Sequence, residues 1–345
     1  MDRLQLAHAM RKQARWCERL GSPLYHALLI RIAEDVEVGG ICWTALESRA
    51  GDPGRSLLPL RFLGAAHRLV LEGRLPRLAR YYPSAGGVAD PDAAWLALRE
   101  ELEQRRDALI AALPEQVQTN EVTRCCALLP GFLTVAQSTG LPLRILEIGC
   151  SAGLNLRWDH YRYDSAHGSW GPKSSPVVFG SAFNGNAPPL DTVVDVVERR
   201  GCDLNPLDPT TDAGRLTLLS FVWPDQDERF RQLSNAIEVA RTVPAELERA
   251  DAFEWLEARL AHPRAGVATV VFHSVVLLYF RNEERERIGQ LLARAGERAT
   301  KQAPLAWLAM EPGESEADVH LTIWPGGERR RIAAAGYHGA NVTIE

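Results

Sequence analysis

The chain reads as a doubly wound α/β protein with a mostly parallel sheet, preceded by a helical domain, and three observations lead there. Residues 1 to about 140 carry apolar faces at helical spacing and no alternating strand. After Gly140-Leu141-Pro142, short apolar runs alternate with helical stretches. The first of those runs, Leu143 to Ile148, ends in a glycine-rich turn. Strands separated by helices need crossover connections, and crossovers imply parallel pairing.

Within the helical domain, Leu4, Ala7, Met10, Ala14, Cys17 and Leu20 recur at steps of three and four, and Gly21 closes that helix. Ser22-Pro23 restarts it with a hydroxyl cap and a proline at the first helical position, and Asp90-Pro91 repeats the device before Trp95, Leu98, Leu102 and Leu109. The domain of 141–345 then offers four strands: Leu143–Ile148, Val193–Val197, Ala268–Phe272 and Ala306–Met310. Helices are expected over Asp225–Arg241 and Asn282–Arg298. Alternation at Val319, Leu321 and Ile323, followed by Pro325-Gly326-Gly327, predicts a terminal antiparallel piece. Between about 158 and 190 the chain is rich in Gly, Pro and Asn and reads as an insertion.

Composition narrows the function. A net charge of −5 and a pI near 6.0 argue against general nucleic-acid binding and leave a small molecule as the expected partner. The longest apolar stretch, Val267 to Phe280, has 14 residues, too few to span a bilayer, so no membrane partner is expected. Six cysteines without a C-x-x-C pair and a start without a basic-then-apolar leader point to the cytoplasm. No histidine–carboxylate spacing suggests a metal.

The chemistry centres on Glu147-Ile148-Gly149-Cys150-Ser151-Ala152-Gly153-Leu154-Asn155. A turn of small residues between a buried strand and a helix lets a ligand approach the backbone and leaves N–H groups free. The segment resembles the first motif of the Rossmann-type methyltransferases, an acid followed by G-x-G-x-G, with Ser151 at the middle glycine. That resemblance implies an S-adenosylmethionine site using Glu147, Gly149, Ser151, Gly153 and Asn155. The same residues also spell G-x-S-x-G, the nucleophile elbow of α/β-hydrolases. On that reading Ser151 attacks an ester, with Asp251 and His273 or His320 completing a triad. Upstream of Ser151 there are helices and no oxyanion segment, which weighs against the hydrolase.

Later residues fall in the order a nucleoside site needs. Asp203, ending a strand, can accept from both ribose hydroxyls. At Asp251-Ala252 a carboxylate can accept from the adenine amino group while the next N–H donates to the ring. His273-Ser274 ends the strongest strand, at the edge where ligands sit in open α/β sheets. Asp203 lies 50 residues after Gly153, against a usual gap of about 20. The 158–190 insertion accounts for the excess, or else Asp159 or Asp164 is the ribose acid. Asn120 and Glu121, with Arg124 one turn on, lead into the first strand and are candidates for the acceptor pocket.

Further segments extend the resemblance to the whole chain: Gly21-Ser22-Pro23-Leu24-Tyr25, Gln118-Thr119-Asn120-Glu121-Val122, Glu147 to Leu156, and Asp203-Leu204-Asn205-Pro206-Leu207-Asp208. Val222-Trp223-Pro224-Asp225-Gln226, His273-Ser274-Val275-Val276 and Trp324-Pro325-Gly326-Gly327-Glu328 complete the set. Together they are similar to a family of uncharacterised bacterial proteins, a domain of unknown function grouped by fold with adenosylmethionine-dependent methyltransferases. The resemblance implies a class I methyltransferase-like fold with S-adenosylmethionine as cofactor and no particular substrate. On this reading His273 removes the acceptor's proton. A cofactor-binding module without turnover has the same signature.

Overall fold

The computed structural model describes residues 1–53, 56–114 and 116–345. The chain forms two units: Met1–Thr119 with Thr211–Ser234, and Asn120–Thr210 with Asn235–Glu345.

The first unit is helical, with α1 (Arg3–Arg19), α2 (Pro23–Glu37), α3 (Ile41–Leu46), α4 (Leu58–Leu71), α5 (Pro76–Ala79) and α6 (Pro91–Ala111). A reciprocal cap starts α1: the Gln5 N–H donates to Asp2, and the Asp2 N–H donates to the Gln5 side chain. Its buried face is Leu6, Ala7, Met10, Ala14 and Cys17, so Leu6 replaces Leu4, which is exposed. Both residues fit the spacing, and only packing chooses between them. Ser22 caps α2 and Asp90 caps α6, each ahead of a proline in the first turn. Residues 211–234 add α8 (Asp212–Ser220) and Trp223, which joins the core of Leu6, Met10, Leu28, Phe62 and Leu98.

In the second unit, α7 (Arg124–Thr139) precedes β1 (Leu143–Ile148). After β1 no regular helix follows. A 3-10 segment, Leu154–His160, leads into β2 (Arg162–Ser165), β3 (Gly168–Trp170), β4 (Val178–Phe179) and β5 (Phe183–Asn184). The sheet resumes with β6 (Val196–Asp203) and β7 (Glu246–Arg249), with α9 (Asp227–Thr242) ending before β7. Then come α10 (Ala252–Leu260), β8 (Ala268–Ser274), α11 (Asn282–Glu297), β9 (Leu305–Pro312), β10 (Ala317–Trp324), β11 (Arg329–Ala335) and β12 (Val342–Ile344). The nine-stranded sheet has the order β5-β12-β11-β10-β9-β8-β1-β6-β7, parallel from β9 to β7 and antiparallel from β9 to β12. The insertion from 158 to 190 builds the small sheet β3-β2-β4 and sends β5 to pair with β12 at the far edge.

Side chains alternate between the faces, and each face buries a different layer. Leu146, Ile148, Cys202, Val271 and Leu305 pack with Trp255 and Leu256 of α10 and Ile288, Leu291 and Leu292 of α11. On the other face Phe132 of α7 stacks on Trp158 at 4.3 Å and meets Phe272 edge-on at 5.1 Å. Trp170 covers the far side of Trp158 at 5.2 Å. This contact layer places α7 with the sheet, so the second unit starts at Asn120 rather than near 140.

Candidate functional site

Strand order reverses between β1 and β8: β6 and β7 lie to one side of β1, β8 and β9 to the other. At such a switch point the loops leaving adjacent strands diverge and open a crevice at the carboxyl ends. The Gly149–Gly153 turn stands there. Gly149 and Gly153 have φ of +66° and +64°, backbone that favours glycine. Both are also pressed by neighbours, since a Cβ would lie 2.3 Å from Val276 Cγ2 at Gly149 and 2.5 Å from Leu247 Cδ2 at Gly153. Ser151 adopts φ +51° without that freedom.

Most of the turn's N–H groups are taken by the protein's own acceptors. The N–H groups of Gly149 and Cys150 donate to the Cys202 carbonyl, and that of Gly153 to the Cys150 carbonyl. The Ser151 N–H donates to Asp203 Oδ2 at 2.9 Å and the Leu154 N–H to Asn120 Oδ1 at 2.8 Å. Expected as a cradle of free N–H groups, the turn instead leaves only that of Ala152 without a protein acceptor.

Several sequence candidates do converge. Asp203 reaches Ser151 through Oδ2, accepts the Asn205 N–H on Oδ1 at 2.8 Å, and its carbonyl accepts the Ala250 N–H at 3.1 Å. Each carboxylate oxygen keeps a second lone pair. Asp251 caps α10, Oδ1 accepting from Phe253 and Glu254, with Ala252 as the first helical residue. Asn120 holds the start of the 3-10 segment, and Glu121 beside it is buried. Arg124 donates to the Ser274 carbonyl at 3.0 Å and to that of Tyr337. Asp159 pairs with Arg199, and Asp164 with Arg162 in the small sheet.

Glu147 is the least ordinary group here. It is 2% exposed and has α7 on its side of the sheet, because its register partner Phe272 carries the α7-facing ring. Cys125 donates its thiol hydrogen to Asn155 Oδ1, and Asn155 in turn shares a hydrogen bond with Glu147. Oε2 of Glu147 has no donor. Burial pushes this carboxyl well above its ordinary range, and Asp203 adds to the shift. The buried guanidinium of Arg157 ties down the same turn by donating to the carbonyls of Gly153 and Val243.

His273 is not brought into this group. One residue beyond Phe272, it points to the opposite face, where its environment is complete. Trp307 Nε1–H donates to His273 Nε2 at 3.0 Å, and His273 Nδ1–H donates to Glu311 Oε1 at 2.7 Å. With zero exposure and both nitrogens engaged, the ring has no lone pair for an acceptor's proton. His320, opposite Ala309, lies on that same face. Neither histidine is thus presented to Ser151 as a triad base. Ser274, the last residue of β8, lends its carbonyl to Arg124.

Reading by residue type missed Glu311. Its Oε1 also accepts the N–H groups of Val276 at 3.1 Å and Leu277 at 3.3 Å. It therefore holds the loop whose Val276 presses on Gly149. Val275 in that loop has φ +53°, an outlier for a β-branched residue that costs about 1–3 kcal/mol. The available signal was an acid near the end of a strand. Around the mouth Leu204, Leu278 and Tyr279 are exposed at 70%, 49% and 57%.

Among the described residues no cluster of His, Cys, Asp and Glu is gathered to hold a metal ion, and no helix is long and apolar enough to cross a membrane. No curated protein and no solved structure matches the chain. One family does, over residues 7–343, and the chain belongs to it: the family described as "Uncharacterized protein conserved in bacteria (DUF2332)".

Proposed function

We propose that the second unit is a class I methyltransferase-like domain that binds S-adenosylmethionine and transfers its methyl group to a small-molecule acceptor. The observation that carries this reading is the glycine turn at the switch point, with acids on the ends of three neighbouring strands or just beyond them. A dinucleotide or nucleotide site would keep its turn N–H groups open for phosphate. Here all but the Ala152 N–H are spent internally, which suits a nucleoside ligand without phosphate. Asp203, pinned by two N–H donors, keeps lone pairs for ribose hydroxyls. Asp251 and the Ala252 N–H serve the adenine edge. Glu147, with an oxygen that lacks a donor, fits the ligand's ammonium end.

The bound cofactor supplies an electrophilic methyl on a sulfonium. The chain's part is to align the acceptor, with Asn120 and Glu121 assigned to its pocket. Because His273 offers no free nitrogen, the reading favours an acceptor that brings its own lone pair at neutral pH. The exposed Leu204, Leu278 and Tyr279 suit one with an apolar body.

Isothermal calorimetry with S-adenosylhomocysteine tests the reading. Saturation at 100 times the dissociation constant should stabilise the protein by about 2.7 kcal/mol. No heat and no melting shift at millimolar ligand, on protein shown by mass spectrometry to be unloaded, would sink it. Binding without turnover on any acceptor would leave the non-catalytic module.

The hydrolase reading keeps one favourable observation, the left-handed backbone of Ser151 in a G-x-S-x-G turn. Stoichiometric fluorophosphonate labelling that vanishes in Ser151→Ala would establish it. With neither His273 nor His320 presented to Ser151, we expect none.

A further inference from the structure

The loop after β8 takes an unfavourable shape at Val275, and one side chain, Glu311, gathers the two N–H groups that follow it. Trp307, Ala309 and Glu311 alternate along β9 on the face that carries His273. From there Glu311 gathers His273 Nδ1–H, the Val276 N–H and the Leu277 N–H onto one carboxylate. Trp307 completes the chain by donating to the far nitrogen of His273. The outcome is felt on the glycine turn, because Val276 Cγ2 fills the place where Gly149 would carry a Cβ. The following 3-10 turn, Leu277–Tyr279, has no buried residue, so packing does little to fix it.

We infer that Glu311 is a positioning residue: it holds Val275–Leu277 in its strained course and so sets how much room Val276 leaves a ligand at Gly149. His273 belongs to the same device as the ring that orients Glu311. The consequence for ligand affinity rests on the adenosylmethionine reading; the positioning of the loop does not.

Two measurements separate these claims. Hydrogen exchange on the full-length protein without ligand reads the positioning. In Glu311→Ala the Val276 and Leu277 amides should exchange at least about tenfold faster, while peptides from β1, β9 and β10 keep wild-type protection. Glu311→Gln, whose amide oxygen can still accept both N–H groups, should restore most of that protection. Calorimetry with S-adenosylhomocysteine reads the consequence: affinity should fall about tenfold in Glu311→Ala and recover in Glu311→Gln. If wild type does not bind this ligand, the cofactor reading fails and exchange still decides the positioning. Should Glu311→Ala fold poorly, Trp307→Phe removes the indole N–H while keeping a ring in the core, and should loosen the same amides several-fold. Unchanged exchange at Val276 and Leu277, or equal loss of protection across the whole sheet, would overturn the inference.

Discussion

Glu147 shows what the site costs the fold. A carboxylic acid at 2% exposure, with one oxygen lacking a donor, is poorly placed for stability alone. Gln has the same shape and needs no charge, so Glu147→Gln should raise the midpoint of urea unfolding at pH 7.5. If the acid serves a ligand's ammonium, the same substitution should weaken S-adenosylhomocysteine binding about tenfold or more. A less stable variant would show that the acid is structural. Asp203 makes the complementary case. Losing a charge-assisted bond to ribose should cost about 1.5–3 kcal/mol, a weakening of roughly ten- to more than a hundredfold. Calorimetry on Asp203→Ala checks this. Wild-type affinity would mean that the ribose acid lies elsewhere; Asp159 gives its Oδ2 to Arg199, while its Oδ1 has no donor.

At the scale of elements, the 3-10 segment and the small sheet replace the helix expected after β1, and an aromatic stack replaces that helix's packing. Trp158 sits fully buried between Phe132 and Trp170. Trp158→Ala should therefore cost about 3–5 kcal/mol in urea unfolding, since the rings around it cannot collapse into the gap. A loss below about 1 kcal/mol would mean that the stack is dispensable. The stack was not legible in the sequence, where residues 158–190 read only as an insertion. Elements that are mostly apolar were legible: β1 runs Leu143–Ile148 as read, and the cores of β8 and β9 lie where their apolar runs do. Charged strands were not. The expected strand at Val193–Val197 is shifted, because β6 starts at Val196 and Val193 is 92% exposed. Its later residues are stabilised by partners that are distant in sequence, Glu198 by Arg144 and Arg264, Arg199 by Asp159. The edge strand β7, Glu246–Arg249, is equally polar. For His273 the position was legible and the facing was not, because facing depends on the register with β1 and β9.

For the molecule as a whole, two buried groups push the pH dependence of stability in opposite directions. His67 of α4 is fully buried, donating from Nδ1 to the Ser220 carbonyl and accepting the Ser84 hydroxyl on Nε2. Burial lowers its pKa from 6.5 to about 4. Between those values the unfolded chain binds a proton that the folded one does not, so stability falls as pH drops through that window. The total is about 3 kcal/mol, at about 1.4 kcal/mol per pH unit. Glu147 does the reverse. Its carboxyl is raised well above 4.5, so above that pH the folded protein holds a proton that the unfolded chain has released. Stability is fully present below pH 4.5 and falls as pH rises, by up to about 1.4 kcal/mol per unit. The causes of each shift lie within that group's own unit, so the two effects should add. Between pH 4.5 and 6.5 their slopes oppose each other in wild type. His67→Gln, whose amide can replace both hydrogen bonds but binds no proton, removes one slope; Glu147→Gln removes the other. Relative to wild type, stability should then rise with falling pH in His67→Gln and rise with increasing pH in Glu147→Gln. Urea unfolding of the three proteins at half-unit steps from pH 4.5 to 6.5 measures both slopes, and slopes of the same sign would refute the pairing.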